Sequence, residues 1–238
     1  MKTIRRSICA MTVAAAALAG PSAYAATQFI DGYGTGWQTY SFTLPQGQSF
    51  AGTVTIGVSN HGDTLADSSL QVDNFGGAFN YVSNAGNTGF ESGDSGYDVA
   101  GTRVPIGHAF HLPAHTGTGS MHLIASGADT SVYNNADGNP GTDGAWFRFW
   151  AEAAAGSLMT FNWNFLNGEI NPHVKQDFAF ILLDSGAFRH YEVLAQVMGA
   201  PVTPVPLPAA AWLLGSGLLA LAGTTRLRRK STTIALSA

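Results

Sequence analysis

Residues 146–150, Trp-Phe-Arg-Phe-Trp, concentrate the side chains best suited to bind a flat ligand. Side chains alternate between the two faces of a β-strand, so Trp146, Arg148 and Trp150 would share one face and the two phenylalanines the other. If the phenylalanines pack in a core, the indole rings could stack on sugar rings and still donate hydrogen bonds. The pattern predicts a glycan-binding surface. The alternative is that both faces are buried between sheets.

Signals for catalysis are weak along the chain. Residues 93–96, Gly-Asp-Ser-Gly, match part of a serine-protease nucleophile motif, but Tyr97 replaces the next glycine. The sequence has no G-x-S-x-G elbow, no H-E-x-x-H and no P-loop. Glycoside hydrolysis needs two carboxylates flanking a cleft, and nothing in their context selects Glu152 and Glu169 for that role. We therefore predict a protein that is not an enzyme, with a secreted polysaccharide hydrolase as the alternative.

Metal ligands of the zinc type are not favoured either. His108, His111 and His115 are close in sequence, but Pro113 would break a helix that joined them. On a strand, the first two of these histidines would point to opposite faces. The single cysteine, Cys9, lies in the amino-terminal leader described below, so the mature chain is expected to lack disulfides and cysteine-bound metals.

The elements that would position these residues are β-strands. Apolar and polar residues alternate with period two in 40–44, 53–58 and 160–165, which is typical of strands with one buried and one wet face. Further candidate strands, separated by Gly, Asn, Asp, Ser and Pro turns, are 69–73, 79–82, 98–104, 119–125, 145–150, 177–184 and 190–197. No long amphipathic helix lies between the two ends of the chain. We predict an all-β, antiparallel β-sandwich or jelly roll over residues 26–200.

The amino-terminus has the features of a secretory signal peptide. A basic start, a short apolar run and the sequence Ala23-Tyr-Ala25 predict cleavage after Ala25. The apolar run is too short and too rich in alanine for a stable membrane anchor. Residues 1–25 are therefore assigned to a removable leader.

The carboxy-terminus has three consecutive features. Val205-Pro206-Leu207-Pro208 precedes an apolar segment that ends near Gly223, and a basic cluster follows. Residues of about 207–223 are just long enough for one transmembrane helix. The cluster would stay cytoplasmic and leave the preceding domain outside the cytoplasm. Its members are Arg226, Arg228, Arg229 and Lys230.

This tripartite arrangement over 201–230, followed by a tail of 231–238, resembles the PEP-CTERM sorting signal of Gram-negative bacteria. Leu207 replaces the glutamate that gives the signal its name. The resemblance implies export across the inner membrane, transient anchoring there, and recognition by signal peptidase and an exosortase. It further implies a final place on the outer surface or in the extracellular matrix. Such proteins accompany exopolysaccharide and biofilm formation.

The charge distribution agrees with an exported domain. Charged residues are 11% of the chain, against about 25% in an average soluble domain. The overall net charge of −4 averages two basic ends and an acidic middle. All 15 acidic residues but only Arg103, Arg148, Lys175 and Arg189 lie within 26–205, which gives that region a net charge of −11. This excess argues against binding to nucleic acid.

Parts of the middle region resemble a jelly-roll domain of exported proteins and carbohydrate-binding modules. Residues 87–97 are similar to its opening strand, with Tyr97 in place of a usual tryptophan, and 158–184 to its centre. Residues 36–74 resemble its end, although they come first here. We therefore expect one jelly roll with circularly permuted halves, because termini of domains usually lie close together. Two incomplete half-domains or an unrelated sandwich are the alternatives.

The same resemblance implies a structural calcium ion. In related jelly rolls an opening Glu and a closing Asp share a calcium, and these correspond to Glu91 and Asp73. Asn74, Asp94 and nearby carbonyls could complete the shell of six to eight oxygens that calcium prefers. Turn capping by Asp and Asn is the alternative role.

Together these features predict an exported, exosortase-processed surface or matrix protein. Its domain would be a non-catalytic glycan-binding or adhesive module that contacts exopolysaccharide. A purely structural surface protein without a ligand is a further alternative.

Overall fold

The computed structural model describes residues 26–30, 33–62, 67–104, 113–168 and 176–198. This part of the chain forms thirteen β-strands and no helix. They are β1 (Gln28–Ile30), β2 (Gln38–Thr43), β3 (Phe50–Ser59), β4 (Ser69–Gly77), β5 (Asn80–Tyr81), β6 (Asp98–Ala100), β7 (Thr102–Arg103), β8 (Met121–Ile124), β9 (Ala128–Asp129), β10 (Asp143–Ala153), β11 (Leu158–Leu166), β12 (Phe178–Asp184) and β13 (Arg189–Val197).

The strands build two sheets with a shared core. The first has eight strands in the order β1-β13-β12-β3-β10-β5, and β6 and β9 also pair with β10. The second has five strands in the order β2-β11-β4-β8-β7. Every strand pair is antiparallel except β1 with β13, which is parallel. The prediction of an all-β, sandwich-like domain is confirmed.

Alternation of side chains along β11 determines which of them point into the core. In β11 the inward residues Met159, Phe161, Trp163 and Phe165 are buried, and the polar residues between them are half-buried. The predicted period-two pattern for this strand is therefore confirmed. All four inward residues belong to the core, so the apolar face of this strand contributes directly to it.

The structure departs from the sequence prediction at one short strand and at one strand that is divided by a glycine. Strand β1 was not predicted, because three residues are too few to show a period. The candidate strand 98–104 divides into β6 and β7 at Gly101, which has a φ of +83° and lies against the backbone of Gly144 and Ala145. A side chain at Gly101 would overlap that backbone, so the strand bends where only glycine fits.

The core is rich in aromatic rings. Phe75 on β4 lies at its centre and contacts rings from both sheets, including Phe149 at 4.8 Å and Phe161 at 5.4 Å between ring centroids. Phe90, in the loop after β5, packs against it at 6.0 Å. Such tilted and edge-on pairs add about 0.5–1.5 kcal/mol each beyond the burial of apolar area.

Early and late parts of the chain meet in this core. Strand β2 pairs with β11, β4 pairs with β11, and β3 pairs with β12. One continuous group of buried residues includes side chains from 36–74 and from 158–197. The two stretches therefore fold as parts of one layered structure.

The predicted terminal signals lie outside the described residues. This applies to the leader 1–25, the motif 205–208, the apolar segment and the basic cluster. Among the residues that are described, none belongs to a helix capable of crossing a membrane.

Candidate functional site

The centre of β10 presents the predicted aromatic and basic side chains on the outside of the eight-stranded sheet. Phe147 and Phe149 are buried in the core, whereas Arg148 and Trp150 are exposed and Trp146 is half-buried. Trp150 keeps 45% of its surface accessible. The two faces predicted for this strand are therefore the faces that it has, and Arg148 and Trp150 are exposed on the outer one.

Arg148 holds this surface together by two contacts. Its guanidinium lies 4.9 Å from the centroid of the Trp146 ring, within the range of a cation–π interaction. It also pairs with the exposed carboxylate of Asp98 on β6, with an Nη2–Oδ2 distance of 2.5 Å. An exposed ion pair contributes only about 0–1 kcal/mol. Arg148 has five N–H donors, so it retains donors for a ligand.

The aromatic surface extends onto β12 and β13. Tyr133 stacks on Phe180 with a centroid distance of 4.1 Å, and Tyr191 lies 6.1 Å from the same Phe180 ring. Trp146 is packed against this group. Phe180 occupies the space beside Gly57, where a side chain would overlap its ring. Phe180 itself is fully buried beneath these rings. We call Tyr133, Trp146, Arg148, Trp150 and Tyr191 the outer aromatic face.

Tyr133, Phe180 and Tyr191 were not predicted as part of a site. Residues 178–183 are a continuous apolar run, which indicates a strand buried on both faces but does not show which side chains point outward. Tyr133 is in a loop, where no period exists. The only available signal was the tyrosine itself among the turn residues around it.

The loop that carries Tyr133 is pinned by Asn135. The buried Asn135 side chain accepts hydrogen bonds from the amides of Asp137 and Asn139 and donates one to Gln176 at 3.0 Å. The Tyr191 hydroxyl donates to the Asn134 carbonyl at 2.5 Å. A pinned loop holds the Tyr133 ring in place before any ligand arrives, which reduces the entropy cost of binding.

Three of the four predicted calcium ligands converge at one end of the sandwich. A β-carbon built on Gly89 would lie 3.6 Å from Asn74 Oδ1, 3.7 Å from Asp73 Oδ1 and 4.0 Å from Glu91 Oε1. Asn74 adopts a left-handed φ of 54°, which asparagine tolerates better than most residues. The three oxygens therefore lie within 4.0 Å of one point, and they come from two segments of the chain.

Backbone amides fix the two carboxylates. Asp73 is fully buried, and its oxygens accept hydrogen bonds from the amides of Asn74 at 2.7 Å and Thr116 at 3.0 Å. Desolvation raises the pKa of Asp73, and these amides partly oppose that rise. Glu91 is exposed, and the Thr118 hydroxyl donates to it at 2.7 Å. The side-chain and backbone hydrogen bonds of Thr118, with that of Gly119, lower the pKa of Glu91.

The fourth predicted ligand is elsewhere. Asp94 pairs with Arg103 at 2.5 Å, so its carboxylate is directed to that guanidinium. Asp73, Asn74 and Glu91 supply three of the six to eight oxygens of a calcium shell, and carbonyls or water would supply the others. Within the described ranges, no group of three or more His, Cys, Asp or Glu side chains is arranged to hold a metal ion. An asparagine oxygen is thus an essential part of the candidate calcium set.

The histidine segment is only partly described. His115 is exposed, and its Nδ1 lies 3.5 Å from the side-chain nitrogen Nδ2 of Asn74. The centroid of its ring lies 5.3 Å from that of Trp37. His108 and His111 lie outside the described residues.

A shallow depression lies at the end of β10. It has a volume of about 440 Å³, and Glu152 is the one carboxylate among its described lining residues. Its other walls are formed by Ser49, Phe50, Ala51, Ala78, Asn80, Ala153, Ala154 and Ser157. Glu169, the second carboxylate considered for hydrolysis, lies outside the described residues.

Comparisons with known proteins add no relative. No family model matches the chain, and no curated protein or solved structure shows significant similarity to it.

Proposed function

We propose that this chain is an exported, exosortase-sorted protein of the cell surface or biofilm matrix whose β-sandwich is a non-catalytic glycan-binding module. The outer aromatic face is the observation that carries the proposal. It presents flat rings on a sheet surface, and pyranose rings stack on such surfaces through their C–H faces.

The terminal sequences support the sorting part of the proposal. The leader, the Val205–Pro208 motif, the apolar segment and the basic cluster occur in the order of a PEP-CTERM protein. Signal peptidase and an exosortase would process the chain. The inner membrane would hold it only before the second cleavage.

Strand pairing supports a permuted jelly roll. Residues 36–74, which resemble the end of such a domain, pair with strands from 158–184, which resemble its centre. One core formed by both stretches is what a permuted order requires, and it does not fit two independent half-domains.

A structural calcium ion fits the cluster of Asp73, Asn74 and Glu91. Calcium is a hard cation that prefers oxygen ligands, and this cluster offers two carboxylates and one amide oxygen. Glu91 already accepts hydrogen bonds, but a carboxylate has about four lone-pair sites, so it can also bind a cation. The ion would tie the end of β4 to the loop after β5.

A polysaccharide hydrolase is the second candidate, and the depression beside Glu152 is the observation that favours it. A glycosidase uses two carboxyl groups about 5–10 Å apart across the scissile bond. Turnover of a matrix polysaccharide that Glu152→Gln abolishes would establish the hydrolase instead.

Binding to a panel of soluble neutral and acidic polysaccharides tests the glycan-binding proposal. Trp150→Ala should weaken binding at least about tenfold, because it removes roughly 1.4 kcal/mol or more of stacking. Tyr33→Ala is the matched control, since Tyr33 is an aromatic residue exposed by 95% that lies outside the outer aromatic face. Equal binding by wild type and Trp150→Ala would overturn the assignment. The absence of binding to every polysaccharide would favour a structural protein without a ligand.

A further inference from the structure

A polar cluster lies inside the sandwich, along the side where β2 and β13 face each other. β2 is an edge strand of the five-stranded sheet, and β13 pairs with β12 on one side and with the short β1 on the other. Tyr40 on β2 is fully buried, and the side chains of His190 and Glu192 on β13 are exposed by only 14% and 10%. The His190 ring is stacked on Phe42 at 4.6 Å. Ionisable groups are rarely buried to this extent without a specific partner.

Three side-chain atoms of this cluster, two oxygens and one nitrogen, form a nearly regular triangle. Tyr40 Oη lies 3.0 Å from Glu192 Oε2 and 3.4 Å from His190 Nε2, and the remaining side, from His190 Nε2 to Glu192 Oε2, is 3.2 Å. Hydrogen bonds alone explain these distances. A metal ion bound to all three atoms would require similar distances.

The second oxygen of Glu192 distinguishes a bound ion from hydrogen bonding alone. Oε1 is buried and accepts no hydrogen bond, whereas both polar contacts of the carboxylate are made to Oε2. A buried acceptor without a partner costs about 1–3 kcal/mol, and more if it is charged. Hydrogen bonds within the cluster satisfy Oε2 of Glu192 but leave Oε1 buried without a partner, at that free-energy cost. A cation bound by both carboxylate oxygens would remove it.

We propose that Tyr40, His190 and Glu192 form a binding site for a divalent first-row transition-metal ion of the zinc type. An ion about 2.1 Å from the three atoms of the triangle would subtend angles of about 90–110°, between octahedral and tetrahedral geometry. Glu192 Oε1 would add a second contact from the same carboxylate. The imidazole nitrogen favours such an ion over calcium, which takes oxygen ligands.

The location of the site gives it a structural consequence. Tyr40 comes from one sheet and the other two ligands from the other sheet, so a bound ion would connect the sheets along their open side. Gln28 and Gln38 join β1 to β2 along the same side through a 3.2 Å hydrogen bond. The site is separate from the outer aromatic face and from the candidate calcium ligands, and it does not depend on the proposed function.

Metal titration of the full chain tests the proposal. Protein stripped with a chelator is loaded with Zn²⁺, dialysed and analysed for metal content, and its Co²⁺ form is examined by visible spectroscopy. We expect one zinc equivalent to be lost in Glu192→Gln and in His190→Gln. Cobalt should give d–d bands that disappear in the same variants. Zinc should raise the melting temperature of the wild type but not that of the variants.

Matched variants distinguish this site from other histidines and carboxylates. His115→Gln and Glu152→Gln change exposed residues outside the cluster and should keep the zinc equivalent. Tyr40→Phe removes only a hydroxyl, preserves the packing and should weaken zinc binding at least about tenfold. A folded wild type that retains no zinc would overturn the proposal, and so would zinc binding that Tyr40→Phe and Glu192→Gln leave unchanged. Either result would identify the cluster as a hydrogen-bonded contact between the sheets.

Discussion

At the scale of single residues, the candidate calcium cluster depends on an unusual backbone position. Gly117 has a φ of +65°, and a side chain there would overlap the Glu91 carboxylate. Gly138 has a similar φ of +83° but open space around it. The two glycines therefore have the same backbone requirement and differ only in what surrounds them.

This pair gives a controlled test. Gly138→Ala should cost about 1–2 kcal/mol of unfolding free energy, the penalty of a left-handed conformation. Gly117→Ala should cost more, because the new methyl group also displaces Glu91. Urea unfolding of both variants measures the difference. Equal destabilisation would show that the close approach of Glu91 to Gly117 is not maintained in solution.

Calcium should raise the melting temperature of the wild type, and chelation should lower it again. At calcium concentrations a hundredfold above the dissociation constant, the stabilisation would be about 2.7 kcal/mol. Asp73→Asn should abolish the shift, whereas Asp129→Asn, which changes an exposed carboxylate bound to the Ser131 amide, should keep it. If the melting temperature of the wild type is the same with calcium and with chelator, the protein binds no structural calcium ion.

At the scale of elements, we propose that the two faces of β10 have different tasks, with the inner face stabilising the core and the outer face binding a ligand. Phe147 is fully buried and packs against Phe75 and Phe90, whereas Trp150 is on the outer face. Phe147→Ala should cost about 3–5 kcal/mol. Trp150→Ala should cost less than Phe147→Ala, because 45% of the surface of Trp150 is in solvent. Similar losses from chemical unfolding of the two variants would contradict the assignment of faces.

The elements also show what the sequence could and could not predict. β10 and β11 alternate over many residues, and their faces follow directly from that pattern. The pairing of Tyr133 with Phe180 links a loop to a continuous apolar strand, and neither has a period that reveals the contact. The cluster of Tyr40, His190 and Glu192 joins residues about 150 positions apart, so no local spacing could indicate it.

The convergence of Asp73 with Glu91 was expected only from a resemblance. Asp94 pairs with Arg103 in the structure, and this contact depends on the folded loop, so no local spacing could indicate it.

At the scale of the whole molecule, the shared core predicts cooperative unfolding. Strands from 36–74 and 158–197 contribute to the same large buried group, so the main core belongs to both stretches. Unfolding followed by tryptophan fluorescence and by far-ultraviolet circular dichroism should give coincident transitions. Two separated transitions would instead indicate the half-domains that the sequence left open.

The acidic domain and its basic ends have separate roles in this account. We propose that leader and tail direct the chain to the cell surface and that the sandwich between them binds the ligand. We propose that glycans bind on the outer aromatic face, which contains two of the five tryptophans of the chain, Trp146 and Trp150.

Indole N–H resonances of ¹⁵N-labelled protein test this claim most directly, because each tryptophan reports separately. Addition of a polysaccharide that binds the protein should shift the signals of Trp146 and Trp150. The signal of Trp163, which is buried in the core, should stay unchanged. Shifts confined to Trp37, or binding without any change at Trp146 and Trp150, would contradict the account.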